Sequence, residues 1–259
     1  MADAPLAGVG VLVTRPVEQA GELISAIEAA GGRSIAFPVI EIAPRDPQRV
    51  QADLSGRDDP DIVIFVSRNA VEHGLAWSGD AAIAAVGPAT AAAIEGAARV
   101  VDIRPASGFD SESLLEEPAL KDVSGKTVRI IRGNGGRELL ATTLRERGAN
   151  VDYLEVYARR IPDYTEPQID AIGRRLESGE IGAVVVMSVE SFDNLLALLP
   201  GSCRRALAKT RLVTPASRVI KEIKDRLPGC PATRADGPGA DDIVRAIAAP
   251  APHSSGQNS

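Results

Sequence analysis

The chain has 259 residues, of which 44% are hydrophobic and 25% charged, and its formal net charge is −6. That length and balance fit a globular protein able to bury a core, and at roughly 150 residues per domain they give between one and two domains. The acidic balance argues against nucleic acid or an anionic membrane as the main partner, and no apolar run approaches the roughly 20 residues of a membrane span.

The N-terminal MADAPLAGVGVLVTRP lacks a basic flank followed by an apolar stretch and a cleavage site, so no signal peptide is read and a cytoplasmic location is expected. The strand-like VGVLVT leads to an amphipathic helix near residues 17 to 30, with Leu23, Ile24 and Ile27 on one face, and then to the extended SIAFPVIEI. The runs IVIFV (62 to 66), VRIIR (128 to 132) and AVVVM (183 to 187) lack strict alternation, which predicts central strands of a parallel sheet covered on both faces. Gly31-Gly32, Gly96 and Gly148 mark helix stops of the left-handed kind that glycine adopts without a Cβ penalty. The last residues, 251 to 259, carry Pro, Ser and Gly and are expected to be disordered.

The order of these units predicts an architecture. The segment from Val11 aligns without gaps on the one from Val128, setting Arg15 on Arg132, Leu23 on Leu140 and Gly31 on Gly148. DIVIFVSRNAVEHGL from Asp61 matches GAVVVMSVESFDNLL from Gly182, with Ser67 on Ser188, and AAVGPATAAAI (84 to 94) is similar to RLVTPASRVIK (211 to 221). Two units thus recur in the order A, B, A′, B′, a duplicated α/β half and not a solenoid. The extended segments FPVIEI (37 to 42) and LEVYAR (154 to 159) hold equivalent places in the two copies. If the first crosses to a second domain and the other returns, domain 1 is discontinuous, 1 to 38 plus 160 to 250, and domain 2 is the insert, 39 to 159. The expected fold is therefore α/β: two similar doubly wound parallel-sheet domains, duplicated and interleaved, joined by a two-stranded antiparallel linker. Its site is expected in the interdomain cleft facing the carboxyl ends of the strands.

The loops that follow strands and open helices share a character. They hold Arg15; Ser67 and Arg68; Gly87 and Thr90; Arg132, Gly133 and Asn134; Ser188; and Ser217. Helix N-termini offer unpaired N–H groups and partial positive charge, about 0.3–1 kcal/mol per exposed anion, so loops of this kind suit carboxylates or phosphates. Taken singly, Ser67, Thr90 and Ser217 read equally well as ordinary N-caps.

Two tempting motifs fail. Gly125-Lys126-Thr127 lacks the earlier P-loop glycine, where Leu120 stands, and precedes a strand; Gly133-Asn134-Gly135 lacks the third glycine of a dinucleotide fingerprint, where Glu138 stands. His73 and His253 form neither CxxC nor HExxH spacing with anything, so no metal site is read. Cys203 and Cys230 are too few for a disulfide framework and read as plain buried or loop residues.

Six segments in order, TRP, FVSRNAV, VGPATAAAIE, SGFDSESLLE, IRGNGGRELL and LEVYARR, resemble the uroporphyrinogen-III synthase family over nearly the whole chain. Departures lie in B′, where VTPASRVIK replaces a glycine-proline-threonine-alanine turn and MSVES lacks the usual serine-proline. The resemblance implies cyclisation of the linear tetrapyrrole hydroxymethylbilane to uroporphyrinogen III, with loss of water and inversion of ring D, without metal or organic cofactor; from the duplicated fold a monomer is expected. The substrate is a polycarboxylate, which suits loops at helix N-termini. Arg15 and Arg132 are candidates for charge-assisted contacts to it, the alternative being a solvated or internally paired arginine.

In the implied chemistry the hydroxyl leaves as water, an azafulvene-type cation forms, and ring D attacks through its substituted carbon to give a spiro intermediate. Because the substrate also closes by itself to the unflipped isomer, the enzyme must dictate geometry above all. Tyr157 is the candidate for assisting departure of the hydroxyl: it sits on the returning crossing and matches the family's tyrosine there, and a phenol stays protonated at neutral pH. The alternative is a tyrosine that packs the hinge. Rival readings are a non-catalytic two-lobe binding module for an anionic small molecule, a sugar-phosphate or nucleotide enzyme, and a regulatory domain on the same fold.

Overall fold

The computed structural model describes residues 4–250, so the tail at 251 to 259 lies outside the described residues. Strand β1 (Gly10–Val13) leads into α1 (Val17–Ala29), followed by β2 (Arg33–Ala36), β3 (Glu41–Pro44) and α2 (Pro47–Leu54). Next come β4 (Ile62–Phe65), α3 (Arg68–Gly74), β5 (Ala82–Ala85), α4 (Pro88–Gly96) and two short helices, α5 (Ser111–Leu115) and α6 (Pro118–Lys121). Then β6 (Thr127–Gly133), α7 (Leu139–Glu146), β7 (Asn150–Arg160), α8 (Glu166–Glu177), β8 (Ile181–Val185) and α9 (Val189–Leu198) follow. The last elements are α10 (Arg204–Leu207), β9 (Arg211–Thr214), α11 (Ser217–Arg226), β10 (Ala232–Arg234) and α12 (Ala240–Ala248). Contacts divide the chain into two units, one of residues up to Glu41 together with those from Arg160 onward, the other of Ile42–Arg159.

The first unit holds a five-stranded sheet in the order β10-β9-β8-β1-β2, parallel throughout. Its core joins Val11, Val13, Leu23, Ile27, Val185, Val213, Ile243 and Ile247. Each such side chain, fully buried, contributes about 1.5–3 kcal/mol. Helix α1 buries Ala20, Leu23 and Ile27, while Ile24 only flanks that core. β1 needs a glycine at its start, because a Cβ on Gly10 would sit 2.1 Å from the Glu180 carbonyl oxygen. SIAFPVIEI is not one extended run: β2 stops at Ala36, Pro38 has no N–H to continue a ladder, and Phe37 stacks on Tyr164 at 4.5 Å between ring centroids. The Tyr164 hydroxyl then donates to the Pro38 carbonyl at 2.8 Å, fixing the turn before β3.

In the second unit the order is β3-β7-β6-β4-β5, with β7, β6, β4 and β5 parallel. An isolated parallel bridge joins Ala84 to Ile103 beside β5, where β10 stands beside β9 in the other sheet. The series β9-β8-β1-β2 and β5-β4-β6-β7 are therefore the same arrangement built twice. The core here is formed by Ile64, Leu114, Leu120, Val128, Ile130, Leu140 and Leu144. Left-handed stops occur at Gly31 (φ 82°) and Gly148 (φ 85°), but not at Gly96, which ends α4 in helical conformation. The left-handed residue there is Ala98 (φ 57°), which bears the Cβ penalty of about 1–2 kcal/mol. Among the described residues Cys203 and Cys230 are free thiols, and no helix is long and apolar enough to cross a membrane.

Candidate functional site

In the second unit, two glycines and one capping serine organise the carboxyl edge of the sheet. Helix α3 lies so close to β6 and β7 that a Cβ on Gly74 would meet Ile131 at 2.4 Å and Val156 at 3.2 Å. Its N-cap, Ser67, accepts from the Ala70 N–H at 3.1 Å. The same oxygen lies 3.2 Å from the Tyr157 hydroxyl. Tyr157 in turn lies across the backbone of β6, where a Cβ on Gly133 would come within 2.5 Å of its ring. The ring is 5% exposed and tilted against His73 at 5.8 Å. Here the β6–β7 ladder slips: Arg132 pairs with Glu155, but Gly133 pairs with Tyr157. Bulges of this sort re-aim side chains beside functional sites.

Asn134 closes the loop after β6. Its N–H donates to the Tyr157 carbonyl at 3.1 Å, and its side-chain oxygen accepts from the Arg159 N–H at 2.6 Å. Arg132 turns inward. It is 7% exposed, its guanidinium lies 4.3 Å above the Tyr153 ring, and it donates to Glu138 at 3.2 Å. Tyr153 donates to the other Glu138 oxygen at 2.6 Å. That hydrogen bond, and then Arg132, hold the Glu138 carboxyl below its ordinary pKa, while burial and Glu138 push the Tyr153 phenol up to about 12. Arg132 is thus the internally paired arginine that the sequence left as an alternative. Arg68 is exposed at the first position of α3. Gly87 is the N-cap of α4 and offers no side chain, and Thr90 is buried in the first turn. Thr90 is therefore not a cap: Pro88 fixes the helix start and moves the cap to Gly87.

In the first unit Ser188 repeats the Ser67 cap on α9, accepting from the Ser191 N–H at 3.1 Å, but its second partner is the Ser191 hydroxyl at 2.9 Å. Ser217 opens α11 as its first helical residue; the N-cap is Ala216, whose N–H is taken by the Thr214 hydroxyl at 3.2 Å. Arg15 is half-buried, donates to the Pro238 carbonyl at 2.6 Å and makes no ion pair among the described residues. Burial lowers its pKa, partly offset by Glu22. Among the described residues no three His, Cys, Asp or Glu side chains gather to hold a metal ion. Sequence reasoning missed Gly74, Glu138 and Tyr153. Gly74 had a local signal, a glycine inside a helical pattern; the pairing of Glu138 with Tyr153 had none.

Two parallel α/β units built from interleaved copies, with polar loops at the carboxyl ends of their strands, define a duplicated α/β protein. Solved structures with this fold include uroporphyrinogen-III synthetase from Helicobacter pylori (TM-score 0.58, 13% identity, 92% of this chain and 97% of that one). A mutant uroporphyrinogen III synthase from Thermus thermophilus is also similar (TM-score 0.51, 22% identity, 85% and 89%). The family model described as uroporphyrinogen-III synthase HemD matches residues 21–243. The uroporphyrinogen-III synthase of Escherichia coli K12 is 33% identical over 221 residues, 82% of this chain and 89% of that protein. That of Salmonella typhimurium LT2 is 33% identical over 220, 81% and 88%. The chain belongs to the uroporphyrinogen-III synthase family.

Proposed function

We propose that this protein closes hydroxymethylbilane to uroporphyrinogen III, acting as a cofactor-independent lyase. The observation that carries this is the family match, which runs through nearly all of both units. The pairing of Tyr157 with Ser67 supports a role for the phenol. In this reading the C–O bond of the hydroxymethyl group breaks as the phenol gives its proton to the departing oxygen. The pyrrole nitrogen supplies the electron pair that forms the azafulvene. Ring D then attacks that methylene through its substituted α-carbon to give the spiro intermediate. The older bond from this carbon to the ring C bridge breaks, the bridge bonds the free α-carbon of ring D, and the proton lost there restores the phenol. Ser67, able to donate as well as accept, steadies the phenolic oxygen as its proton leaves.

The remaining residues hold carboxylates. Arg15 supplies a partly desolvated cation that feels Glu22 but makes no ion pair among the described residues, and Arg68 an exposed one. Gly87, Thr90, Gly133, Asn134, Ser188 and Ser217 shape the loops around them, and Arg132 supports the Gly133 loop from below. The protein is read as a cytoplasmic monomer that binds neither nucleic acid nor membrane.

The test supplies freshly made hydroxymethylbilane to the purified protein, oxidises the products and separates the porphyrin isomers. Dominant isomer III is expected; only isomer I, at the rate of the protein-free control, would overturn the reading. Tyr157→Phe is expected to slow turnover while leaving the melting temperature within a few degrees, and unchanged turnover would remove the phenol from the mechanism.

A further inference from the structure

Of the four phenylalanines, Phe37, Phe65 and Phe192 are buried, whereas Phe109 is 75% exposed. It is the one aromatic side chain exposed among the described residues. Its backbone is nonetheless tightly held. Gly108 before it is left-handed (φ 83°), and a Cβ there would fall 2.0 Å from the Ser113 hydroxyl oxygen. Asp110 after it is the N-cap of α5, accepting from the Ser113 N–H at 2.8 Å and from the Ser113 hydroxyl at 2.6 Å. These bonds hold the Asp110 carboxyl below its ordinary pKa. A fixed turn that presents a large apolar ring to water forgoes the burial of a side chain that normally stabilises a fold.

The position of the ring gives it a purpose. Chain segment 104 to 110 leaves the Ala84–Ile103 bridge in the strand direction, so Phe109 stands at the carboxyl edge of the second unit's sheet. There it abuts the α4 N-cap: a Cβ on Gly87 would lie 3.7 Å from the Phe109 carbonyl oxygen and 3.9 Å from its Cβ. Arg137, after β6, pairs with Glu112 of α5 at 3.4 Å and draws the loop that follows Gly136 to the same side. Val100, exposed to 72%, lies before the bridge at the opposite, amino edge.

A pyrrole chain has flat π faces as well as carboxylate rims. The groups assigned to the carboxylates answer the rims, by charge or by N–H, and Tyr157 answers the hydroxyl; its ring is buried, and Tyr153 lies beneath Arg132. We propose that Phe109 is the stacking platform for one pyrrole ring of the substrate, a positioning residue that fixes the attitude of that ring before closure. This deepens the synthase reading and rests on it. Aromatic rings favour offset or edge-to-face contact with centroids roughly 4.5–7 Å apart, and an exposed, backbone-fixed ring provides such a surface at little ordering cost.

The test compares steady-state kinetics and isomer ratio for wild type, Phe109→Ala, Phe109→Leu, Phe109→Tyr and, as the control on the far edge, Val100→Ala. Phe109→Ala is expected to raise KM about three- to tenfold, the range one aromatic contact supplies, with kcat and melting temperature near wild type. Phe109→Tyr is expected to restore KM, Phe109→Leu to restore it only in part, and Val100→Ala to leave it unchanged. With an active wild type, an unaltered KM in Phe109→Ala, or full rescue by leucine, overturns the platform alone. A wild type that yields only isomer I overturns the synthase reading itself, and the platform with it.

Discussion

Arg15 and Arg132 occupy the same place in the two copies and meet opposite fates. The second is stacked on Tyr153 and tied to Glu138 within its own unit; the first is half-buried, hydrogen-bonded to the Pro238 carbonyl and the Met187 sulfur and attracted by Glu22, with no ion pair among the described residues. The capping serines diverge in the same manner, since Ser67 adds the Tyr157 hydroxyl where Ser188 adds only a neighbouring serine. Duplication copied the loop and its cap; side chains from β7, which have no like counterpart in the first unit, then decided what each copy does. Under the proposed function, the arginine of the first unit answers an anion and the tyrosine of the second gives its proton.

That contrast has its sharpest test in charge removal. Arg15→Gln is expected to raise KM by roughly 10- to 100-fold, the worth of a charge-assisted hydrogen bond, with little change in melting temperature. Arg132→Gln should do the reverse, destabilising by about 1–3 kcal/mol with a smaller effect on KM. Equal KM effects measured side by side would erase the distinction. The serine pair separates cap from chemistry. Ser67→Ala and Ser188→Ala should each cost about 1 kcal/mol of stability through the lost cap, while only Ser67→Ala also slows turnover, by about fivefold for one hydrogen bond of ~1 kcal/mol. If Ser188→Ala slowed it equally, the two caps would be functionally alike. The smallest effect concerns pH. Tyr153 titrates near 12 folded against an ordinary 10, so its contribution is present below pH 10 and lost as pH rises toward 12. Thermal melts across that window should decline more in wild type than in Tyr153→Phe, and parallel declines would mean that burial and Glu138 do not hold the phenol from ionising.

How much of this was legible beforehand follows the range of the interactions. The parallel sheets and their duplicated order were written in apolar runs such as IVIFV and AVVVM and in the interleaved repeats, because period and burial act locally. Ser67 was legible as a cap, since a cap bonds three residues ahead. Thr90 and Ser217 were misread as caps because Pro88 and the Thr214 hydroxyl, not the candidate residue, decide where each helix begins. The Ser67–Tyr157 contact spans 90 residues, and no local pattern encodes such a distance. The inward turn of Arg132 was equally hidden, because an arginine at a strand end looks the same whether an acid six residues on reaches back or faces solvent.

The slip in the ladder after Arg132 has a further consequence. Side chains alternate faces along a strand, so with Gly133 paired to Tyr157 instead of its neighbour, the face on which the phenol emerges is a matter of parity. Removal of any single residue between Asn150 and Val156 would leave β7 long enough to pair and apolar enough to pack. The slip can take up that loss, because a regular ladder through Arg132 again sets Tyr157 opposite Gly133, so the extra residue is a reserve of register that keeps the phenol beside Ser67.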